Sequence, residues 1–298
     1  MPLGPDAGPM GVLVDELVRE ARRRLAAAGV PSPDADAVQL AAHFWMTTPG
    51  DLAARALRGV AVHPLEGREF LDLVAARADR VPLQHLTGVA AFRTVELSVG
   101  PGVFVPRPET EVVAGLAIDE AGRLVAPLVV DLCTGSGAIA VAVAVEVPAA
   151  RVVAVEVDPM AHAWAARNVA ALAPRVDLRL GDAVGADTGV AADLAGTVDV
   201  LVANPPYIPA GCNPVDPEVA EHDPPVALYG GGDDGLAVPR GVVASAARLL
   251  RPGGLLVMEH ADTQGPGTRA LVAGPGWRDV RTAEDLTGRA RALVARRQ

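Results

Sequence analysis

An apolar strand pattern that runs into a glycine-containing turn and then into a helix constrains the fold of this chain more than any other feature. The strand pattern covers Leu128–Leu132, the turn covers Cys133–Gly137, and the helix begins near Ala138. Glycine lacks a Cβ, so the backbone of such a turn can approach a ligand closely, and the helix that follows offers unpaired N–H groups. The pattern is typical of nucleotide-binding α/β domains.

Acidic residues follow the next two strand patterns along the chain. Arg151–Val155 leads into Glu156, where an acid in such domains accepts hydrogen bonds from the hydroxyls of a ribose. Val176–Leu180 leads into Gly181 and Asp182, and this carboxylate can accept from the exocyclic amine of adenine. Each acid alone is more typical of a solvated strand end. Their order after successive strands is what indicates a nucleotide-like ligand.

A fourth strand pattern, Val198–Ala203, runs directly into the motif Asn204-Pro205-Pro206-Tyr207. Proline fixes φ and pushes the residue before it into an extended conformation, so this motif is a stiff exit from the strand. An asparagine side-chain oxygen and a rigid backbone carbonyl can accept both hydrogens of a planar NH2 group and leave its lone pair for an electrophile. The ring of Tyr207 can pack on a flat group or face a cation. In isolation the motif also fits an ordinary proline-rich turn.

The first 80 residues show amphipathic helices and no cofactor motif. A Pro/Gly-rich segment, 1–9, which we expect to be mobile, is followed by helical patterns at about residues 10–28, 34–46, 49–58 and 65–79. Residues 83–99 alternate enough to predict a β-hairpin. From about residue 100 strands and helices alternate, which predicts a parallel sheet. The tail from Trp277 predicts a final antiparallel pair with a turn at Gly288.

The order of these motifs resembles that of S-adenosylmethionine-dependent methyltransferases. Over nearly its whole length the sequence also resembles the HemK/PrmC family, the glutamine N(5)-methyltransferases that act on peptide chain release factors. The segments that carry this resemblance are Arg80–Gly88 with Phe92, Phe104–Glu111, Asp131–Ala140, Asn204–Pro209 and Ala227–Leu236. The positions that depart from the usual family pattern are Cys133, His85 and Asp223. We expect Cys133 to adopt an ordinary negative φ, because it carries a side chain.

The resemblance implies a Rossmann-like α/β methyltransferase domain at 101–298, a small N-terminal helical domain that docks the protein substrate at 1–80, and a joining β-hairpin at 81–100. The implied cofactor is S-adenosylmethionine. The implied substrate is the side-chain amide of the glutamine in the Gly-Gly-Gln motif of class 1 release factors, whose hydrogens the Asn204 side chain and the Pro205 carbonyl would accept. The implied catalytic residues are Asn204, Pro205 and Tyr207. The residues implied to contact the substrate are Asn204, Pro205, Pro206, Tyr207, Phe104 and Arg107. The residues implied to bind the cofactor are Phe104, Pro106, Asp131, Thr134, Gly135, Ser136, Gly137, Glu156, Asp182 and Asn204.

Composition restricts the partners. A net charge of −10 and an aromatic fraction of 3% weigh against nucleic-acid binding, which needs basic faces or stacking platforms. Two cysteines are too few for a disulfide framework, and the N-terminus shows no secretory or membrane-spanning pattern, so we expect a cytoplasmic protein. No His, Cys, Asp and Glu residues have metal-ligand spacing, so we expect no metal. Glu259 and His260 close a later strand pattern, and we expect them to be structural.

Other functions remain compatible with the motifs. An adenine-N6 methyltransferase of DNA or RNA would need a basic groove and a target-recognition module, and the sequence shows neither. A cofactor-binding scaffold without catalysis would be indicated by a broken Asn-Pro-Pro-Tyr motif, which is intact here. A glutamine methyltransferase of a ribosomal protein would differ in surface details that the sequence does not reveal.

Overall fold

The computed structural model describes residues 11–298, so the segment predicted to be mobile, 1–9, lies outside it. The chain divides into two compact units, with the boundary between Gly88 and Val89. Within the described residues no helix is both long and apolar enough to cross a lipid bilayer.

The first unit consists mainly of helices. Its described elements, in chain order, are β1 (Val12–Leu13), α1 (Val14–Ala27), α2 (Pro33–Phe44), α3 (Pro49–Leu57), β2 (Ala61–Val62), α4 (Pro64–Ala78) and α5 (Leu83–Thr87). Strands β1 and β2 pair antiparallel. The helical patterns predicted from the sequence are confirmed as α1 to α4, with ends that differ by a few residues.

The sequence explains why these helices form and pack. In α1, Val14, Leu17 and Leu25 recur at helical spacing and are almost fully buried. Proline begins α2, α3 and α4, where its missing N–H is not needed. Thr48 caps α3 by accepting a hydrogen bond from the Asp51 N–H at 3.0 Å, an interaction whose loss costs about 1 kcal/mol.

The predicted β-hairpin is shorter than expected and belongs to the second unit. Its strands are β3 (Val89–Phe92) and β4 (Val95–Ser98), paired antiparallel. The preceding residues form α5, because Gly88 adopts a left-handed conformation (φ 76°) and its N–H closes the last turn on the Gln84 carbonyl at 2.8 Å. Alternate residues of the hairpin are buried in the core of the second unit.

The second unit continues with alternating strands and helices. Its further helices are α6 (Thr110–Ala121), α7 (Ala138–Glu146), α8 (Pro159–Leu172), α9 (Pro217–His222), α10 (Pro225–Leu228), α11 (Ala237–Leu249) and α12 (Gly265–Leu271). Its further strands are β5 (Leu128–Leu132), β6 (Arg151–Glu156), β7 (Asp177–Leu180), β8 (Val198–Ala203), β9 (Leu250–Glu259), β10 (Trp277–Glu284) and β11 (Ala290–Arg297). Short 3-10 turns lie at Ala192–Leu194 and Asp262–Gln264.

These strands form one sheet in the order β10-β11-β9-β8-β5-β6-β7. Strands β9, β8, β5, β6 and β7 are parallel, whereas β11 is antiparallel to both β9 and β10. Both the predicted parallel sheet and the predicted antiparallel end are confirmed. The chain leaves β5 towards β6 and β7 on one side and later returns to β8 and β9 on the other. Ligands of open α/β sheets bind at the carboxyl ends of the strands beside such a reversal.

Both faces of the sheet are covered, which explains why its central strands are nearly continuous apolar runs, with Asp131 in β5 and Asp199 in β8 as the exceptions. Val129 and Val202 pack into one buried cluster, and Val130 and Leu201 pack into the cluster on the opposite face. Burial of each such side chain contributes about 1.5–3 kcal/mol. The sheet is therefore a rigid base for the loops at its carboxyl edge.

Candidate active site

A cavity of about 750 Å³ opens at the carboxyl edge of the sheet, beside the reversal in strand order. The structure brings most of the predicted site residues together in its wall: Phe104, Pro106, Arg107, Thr134, Gly135, Ser136, Glu156, Asp182, Asn204, Pro206 and Tyr207. Three predicted residues do not line the cavity, namely Asp131, Gly137 and Pro205. Its size is within the range of small-molecule sites.

The glycine turn between β5 and α7 forms one wall of this cavity. Gly135 has φ 58°, and a Cβ placed on it would meet nothing within 4 Å, so the space above it is open to a ligand. Gly137 has φ 83° and is the N-cap of α7, which begins at Ala138. Both positions therefore favour glycine for conformational reasons.

The predicted negative φ of Cys133 is wrong, because the residue is left-handed with φ 61°. The reason lies in the hydrogen bonds of the next two residues. The Thr134 N–H donates to the Val155 carbonyl at 3.0 Å, and the Gly135 N–H donates to the Glu156 carboxylate at 2.7 Å. Both donors must face β6, so the chain turns sharply at Cys133 and accepts a strain of about 1 kcal/mol.

Asp131 supports the turn from below and is fully buried. Its Oδ2 atom accepts hydrogen bonds from the Thr134 hydroxyl at 2.5 Å and from the Ala140 N–H at 3.1 Å. Burial raises the pKa of Asp131 to about 7, although both hydrogen bonds oppose the shift. The structure thus makes Asp131 a support for the turn.

The Glu156 carboxylate lies at the end of β6 and is held by backbone donors. Its Oε2 atom accepts from Gly135, and its Oε1 atom accepts from the N–H groups of Val157 at 3.0 Å and Asp158 at 2.9 Å. Burial raises the pKa of Glu156, whereas these hydrogen bonds lower it. Asp182, beyond β7, is exposed and accepts from the Val184 N–H at 2.8 Å. Both carboxylates line the cavity, and their predicted contact with an adenosine-like ligand stays a prediction.

The Asn-Pro-Pro-Tyr motif leaves β8 on the other side of the cavity. It is hydrogen-bonded to two residues for which the sequence predicts no role in the site. The Asn204 Nδ2 group donates to the Thr110 hydroxyl at 3.3 Å. Thr110 donates in turn to the Glu259 Oε2 atom at 2.7 Å, and the Tyr207 hydroxyl donates to Oε1 of the same carboxylate at 3.3 Å. Burial raises the pKa of Glu259 to about 7 and also raises that of Tyr207.

Arg107 forms an ion pair with Asp223, a contact that the sequence does not predict. Its Nη2 atom lies 2.7 Å from the Asp223 Oδ2 atom, and the Asp223 side chain is fully buried. The Arg107 guanidinium also lies over the Phe104 ring, 5.1 Å from the centroid. Arg107 therefore fixes one wall of the cavity through Asp223, one of the three residues at which the sequence departs from the family pattern.

The charges around the cavity favour a cationic ligand. Acidic residues outnumber basic ones in its wall, which contains Arg107, paired with Asp223, together with Glu109, Glu156, Asp158, Asp182 and Asp216. Across residues 11–298, His, Cys, Asp and Glu side chains form no group of three or more that could hold a metal ion. The site offers hydrogen-bond acceptors and negative charge.

The parallel sheet with its antiparallel end, the glycine turn and the cavity beside it define a Rossmann-like methyltransferase. Two family models match the chain: the PrmC N-terminal domain over residues 16–88 and the methyltransferase small domain over residues 116–216. The chain is 49% identical to the release factor glutamine methyltransferase of Streptomyces coelicolor, over 97% of this chain and 99% of that protein. It belongs to the release factor glutamine methyltransferase family.

Two further relatives are similar to most of this chain. The release factor glutamine methyltransferase of Mycolicibacterium smegmatis is 46% identical, over 94% of this chain and 96% of that protein. The 4-amino-L-phenylalanine/4-methylamino-L-phenylalanine methyltransferase of Streptomyces pristinaespiralis is 42% identical, over 86% of each chain.

Proposed function

We propose that this protein transfers a methyl group from S-adenosylmethionine to the side-chain amide nitrogen of the glutamine in the Gly-Gly-Gln motif of class 1 release factors. The observation that carries the proposal is the orientation of Asn204. Its Nδ2 group is used by Thr110, so its Oδ1 atom remains as an acceptor in the cavity wall. A release factor substrate would place the reaction in the cytoplasm.

The residues of the glycine-turn side fit S-adenosylmethionine. The open space above Gly135 allows close approach, and the acidic wall suits a ligand with a positively charged sulfur. Glu156 would accept from the ribose hydroxyls and Asp182 from the adenine amine, while Phe104 and Pro106 would border the methionine end. When bound, the cofactor supplies an electrophilic methyl group.

The residues of the motif side would orient the amide. The Asn204 Oδ1 atom would accept one amide hydrogen from the cavity wall, and the Pro205 carbonyl, although Pro205 itself does not line the cavity, would accept the other. Together they would hold the nitrogen and favour localisation of its lone pair in the transition state. Within residues 11–298 the Pro205 carbonyl accepts no other hydrogen bond. The methylated nitrogen is strongly acidic, so its extra proton passes to water without a dedicated base. Catalysis on this scheme is positioning and electrostatic stabilisation.

The proposal predicts the outcome of a substrate panel. Full-length protein and methyl-labelled S-adenosylmethionine are incubated with a class 1 release factor, ribosomal proteins, duplex DNA or 4-amino-L-phenylalanine. Label is expected in the release factor, at the Gly-Gly-Gln glutamine by mass spectrometry, and a release factor with that glutamine changed to alanine is the control. Preferred methylation of a ribosomal protein, of DNA or of the free arylamine would replace the proposal with that activity.

The arylamine is a second candidate because of the Streptomyces pristinaespiralis relative. Its amine is planar, like an amide NH2, and the same acceptor pair would serve it. It lacks a protein surface, however, so it gives no role to the first unit. Comparison of kcat/KM for the two substrates separates the candidates.

We expect residues 1–88 to contribute affinity for the protein substrate and nothing to cofactor binding. The residues proposed for the cofactor lie beyond residue 100, so residues 89–298 alone should bind S-adenosylmethionine with unchanged affinity. They should lose methylation of an intact release factor far more than methylation of a short Gly-Gly-Gln peptide, because remote contacts supply binding energy from outside the reacting centre. Circular dichroism and calorimetry establish folding and cofactor binding. Equal loss on both substrates would mean that the first unit shapes the active site.

A further inference from the structure

We propose that Thr110 and Glu259 are positioning residues that fix which end of the Asn204 carboxamide faces the substrate, and that Glu259 holds Tyr207 at the same time. This inference deepens the proposed function and rests on it for its kinetic part. Thr110 lines the cavity and Glu259 does not, but neither is among the residues proposed above to contact the cofactor. Both act through the Asn-Pro-Pro-Tyr motif.

The hydrogen bonds form a continuous chain that ends on one carboxylate. Asn204 donates to the Thr110 oxygen at 3.3 Å, and Thr110 donates to Glu259 at 2.7 Å. From the other side of the motif, Tyr207 donates to the second oxygen of Glu259 at 3.3 Å. The first residue of α6 and the last residue of β9 thereby hold both ends of a loop that leaves β8.

The direction of this chain follows from the chemistry of its groups. An ionised carboxylate only accepts hydrogen bonds, and a hydroxyl has a single hydrogen. Thr110 must therefore point its hydrogen at Glu259, which leaves its lone pairs to accept from Asn204. The Asn204 Nδ2 group is drawn to Thr110, and Oδ1 is left for the substrate. A carboxamide rotated by half a turn would present its own NH2 group to the NH2 group of the glutamine, and two donors repel.

The network is buried, so its groups interact strongly. Thr110 is 4% exposed and Glu259 is 1% exposed, and hydrogen bonds in such surroundings are electrostatically stronger than in water. The charged groups that face Glu259 are Arg291 on β11, which lowers its pKa, and Glu109 before α6, which raises it; burial outweighs both and raises the pKa to about 7. Below that pH a protonated Glu259 loses one acceptor position, so kcat should fall as the pH drops through about 7.

Kinetics of matched variants test the proposal. We expect Thr110→Val and Glu259→Gln each to lower kcat about 10- to 100-fold, with KM for the release factor and affinity for S-adenosylmethionine nearly unchanged. Thr110→Ser should restore most of kcat, and Glu259→Gln should remove the fall in kcat around pH 7. The double variant should be hardly worse than either single variant. Thr268→Val is the control, because Thr268 is a buried threonine of the same unit that donates to helix carbonyls.

A spectroscopic measurement tests the same network without any substrate. The chain has only three asparagines, Asn168, Asn204 and Asn213, so 15N-asparagine labelling gives three side-chain amide signals. The Asn204 signal, identified by its loss in Asn204→Ala, should shift in Thr110→Val and in Glu259→Gln, while the signals of Asn168 and Asn213 stay. Hydrogen bonding of Asn168 to the carbonyls of Ser98 and Ser136, both at 2.9 Å, makes its signal an internal reference.

The two measurements separate failure of the inference from failure of the proposed function. A shifted Asn204 signal in a protein that does not methylate the release factor would support the network and refute the substrate. An unmoved Asn204 signal, or a kcat for Thr110→Val within about twofold of the parent, would overturn the network. Thr110→Ser as impaired as Thr110→Val would also overturn it, because serine keeps the hydroxyl.

Discussion

Asn204→Ala is expected to lower kcat for glutamine methylation by at least about 100-fold, while the dissociation constant of S-adenosylmethionine stays nearly unchanged. The side-chain oxygen acts on the nitrogen whose charge changes in the transition state, and deletion of one preorganised hydrogen-bond partner costs about 100- to 1,000-fold in rate. Single-turnover kinetics on the release factor and calorimetry with the cofactor measure the two effects separately.

Asn213→Ala is a matched control for this experiment. Asn213 is also followed by proline, but it is exposed and does not line the cavity, so its loss should leave kcat near the parent value. Near-normal turnover by Asn204→Ala would disprove the acceptor role. A comparable loss in both variants would point to a general effect on the loop that follows β8.

Glu156→Ala should raise the dissociation constant of S-adenosylmethionine about 10- to 100-fold, because a charge-assisted hydrogen bond contributes roughly 1.5–3 kcal/mol. The structure adds a second reason, since the same carboxylate holds the Gly135 N–H at 2.7 Å and its loss frees the turn. Glu156→Asp keeps the charge with a shorter reach and should be intermediate. Calorimetry checks both variants.

Glu96→Gln is the control for the charge change, because Glu96 is an exposed residue of β4 outside the cavity. It should bind the cofactor like the parent. Unchanged affinity in Glu156→Ala would remove this residue from the cofactor site and leave it a purely structural role in the turn.

Local patterns were sufficient to predict the strands and the residues at their carboxyl ends. The bounds predicted for Val198–Ala203 are those that the structure shows, because a strand buried on both faces is a nearly continuous apolar run, interrupted here only by Asp199. Glu156 and Asp182 could be assigned to one cavity because the carboxyl ends of parallel strands meet at one edge. Each of these predictions needed only the residues of a single strand and the rule that parallel strands end at the same edge.

Residues that act through long-range contacts could not be predicted in this way. Thr110 and Glu259 are 149 positions apart, and Arg107 and Asp223 are 116 apart. Their pairing depends on the order of the strands in the sheet, which no local pattern specifies. Thr110 lies in the segment Phe104–Glu111, which resembles the family, and Glu259 ends a strand pattern. Neither position by itself indicates a hydrogen bond to the other.

The left-handed conformation of Cys133 illustrates a different limit. Residue type predicts a negative φ, yet the hydrogen bonds of Thr134 and Gly135 to β6 require the opposite sign. Backbone donors that would otherwise be left unsatisfied cost more than one strained residue. Tertiary context overrides the local preference here.

The separation of Thr110 and Glu259 along the chain also affects how the protein folds while it is being synthesised. The glycine turn and Glu156 are synthesised early and pair with near neighbours, whereas β9 must emerge and insert beside β8 before Thr110 meets its carboxylate. Contacts of high sequence separation form late in folding. A nascent chain can thus form the glycine turn before it forms the hydrogen bond between Thr110 and Glu259. The site is complete only when nearly all of the polypeptide has left the exit tunnel.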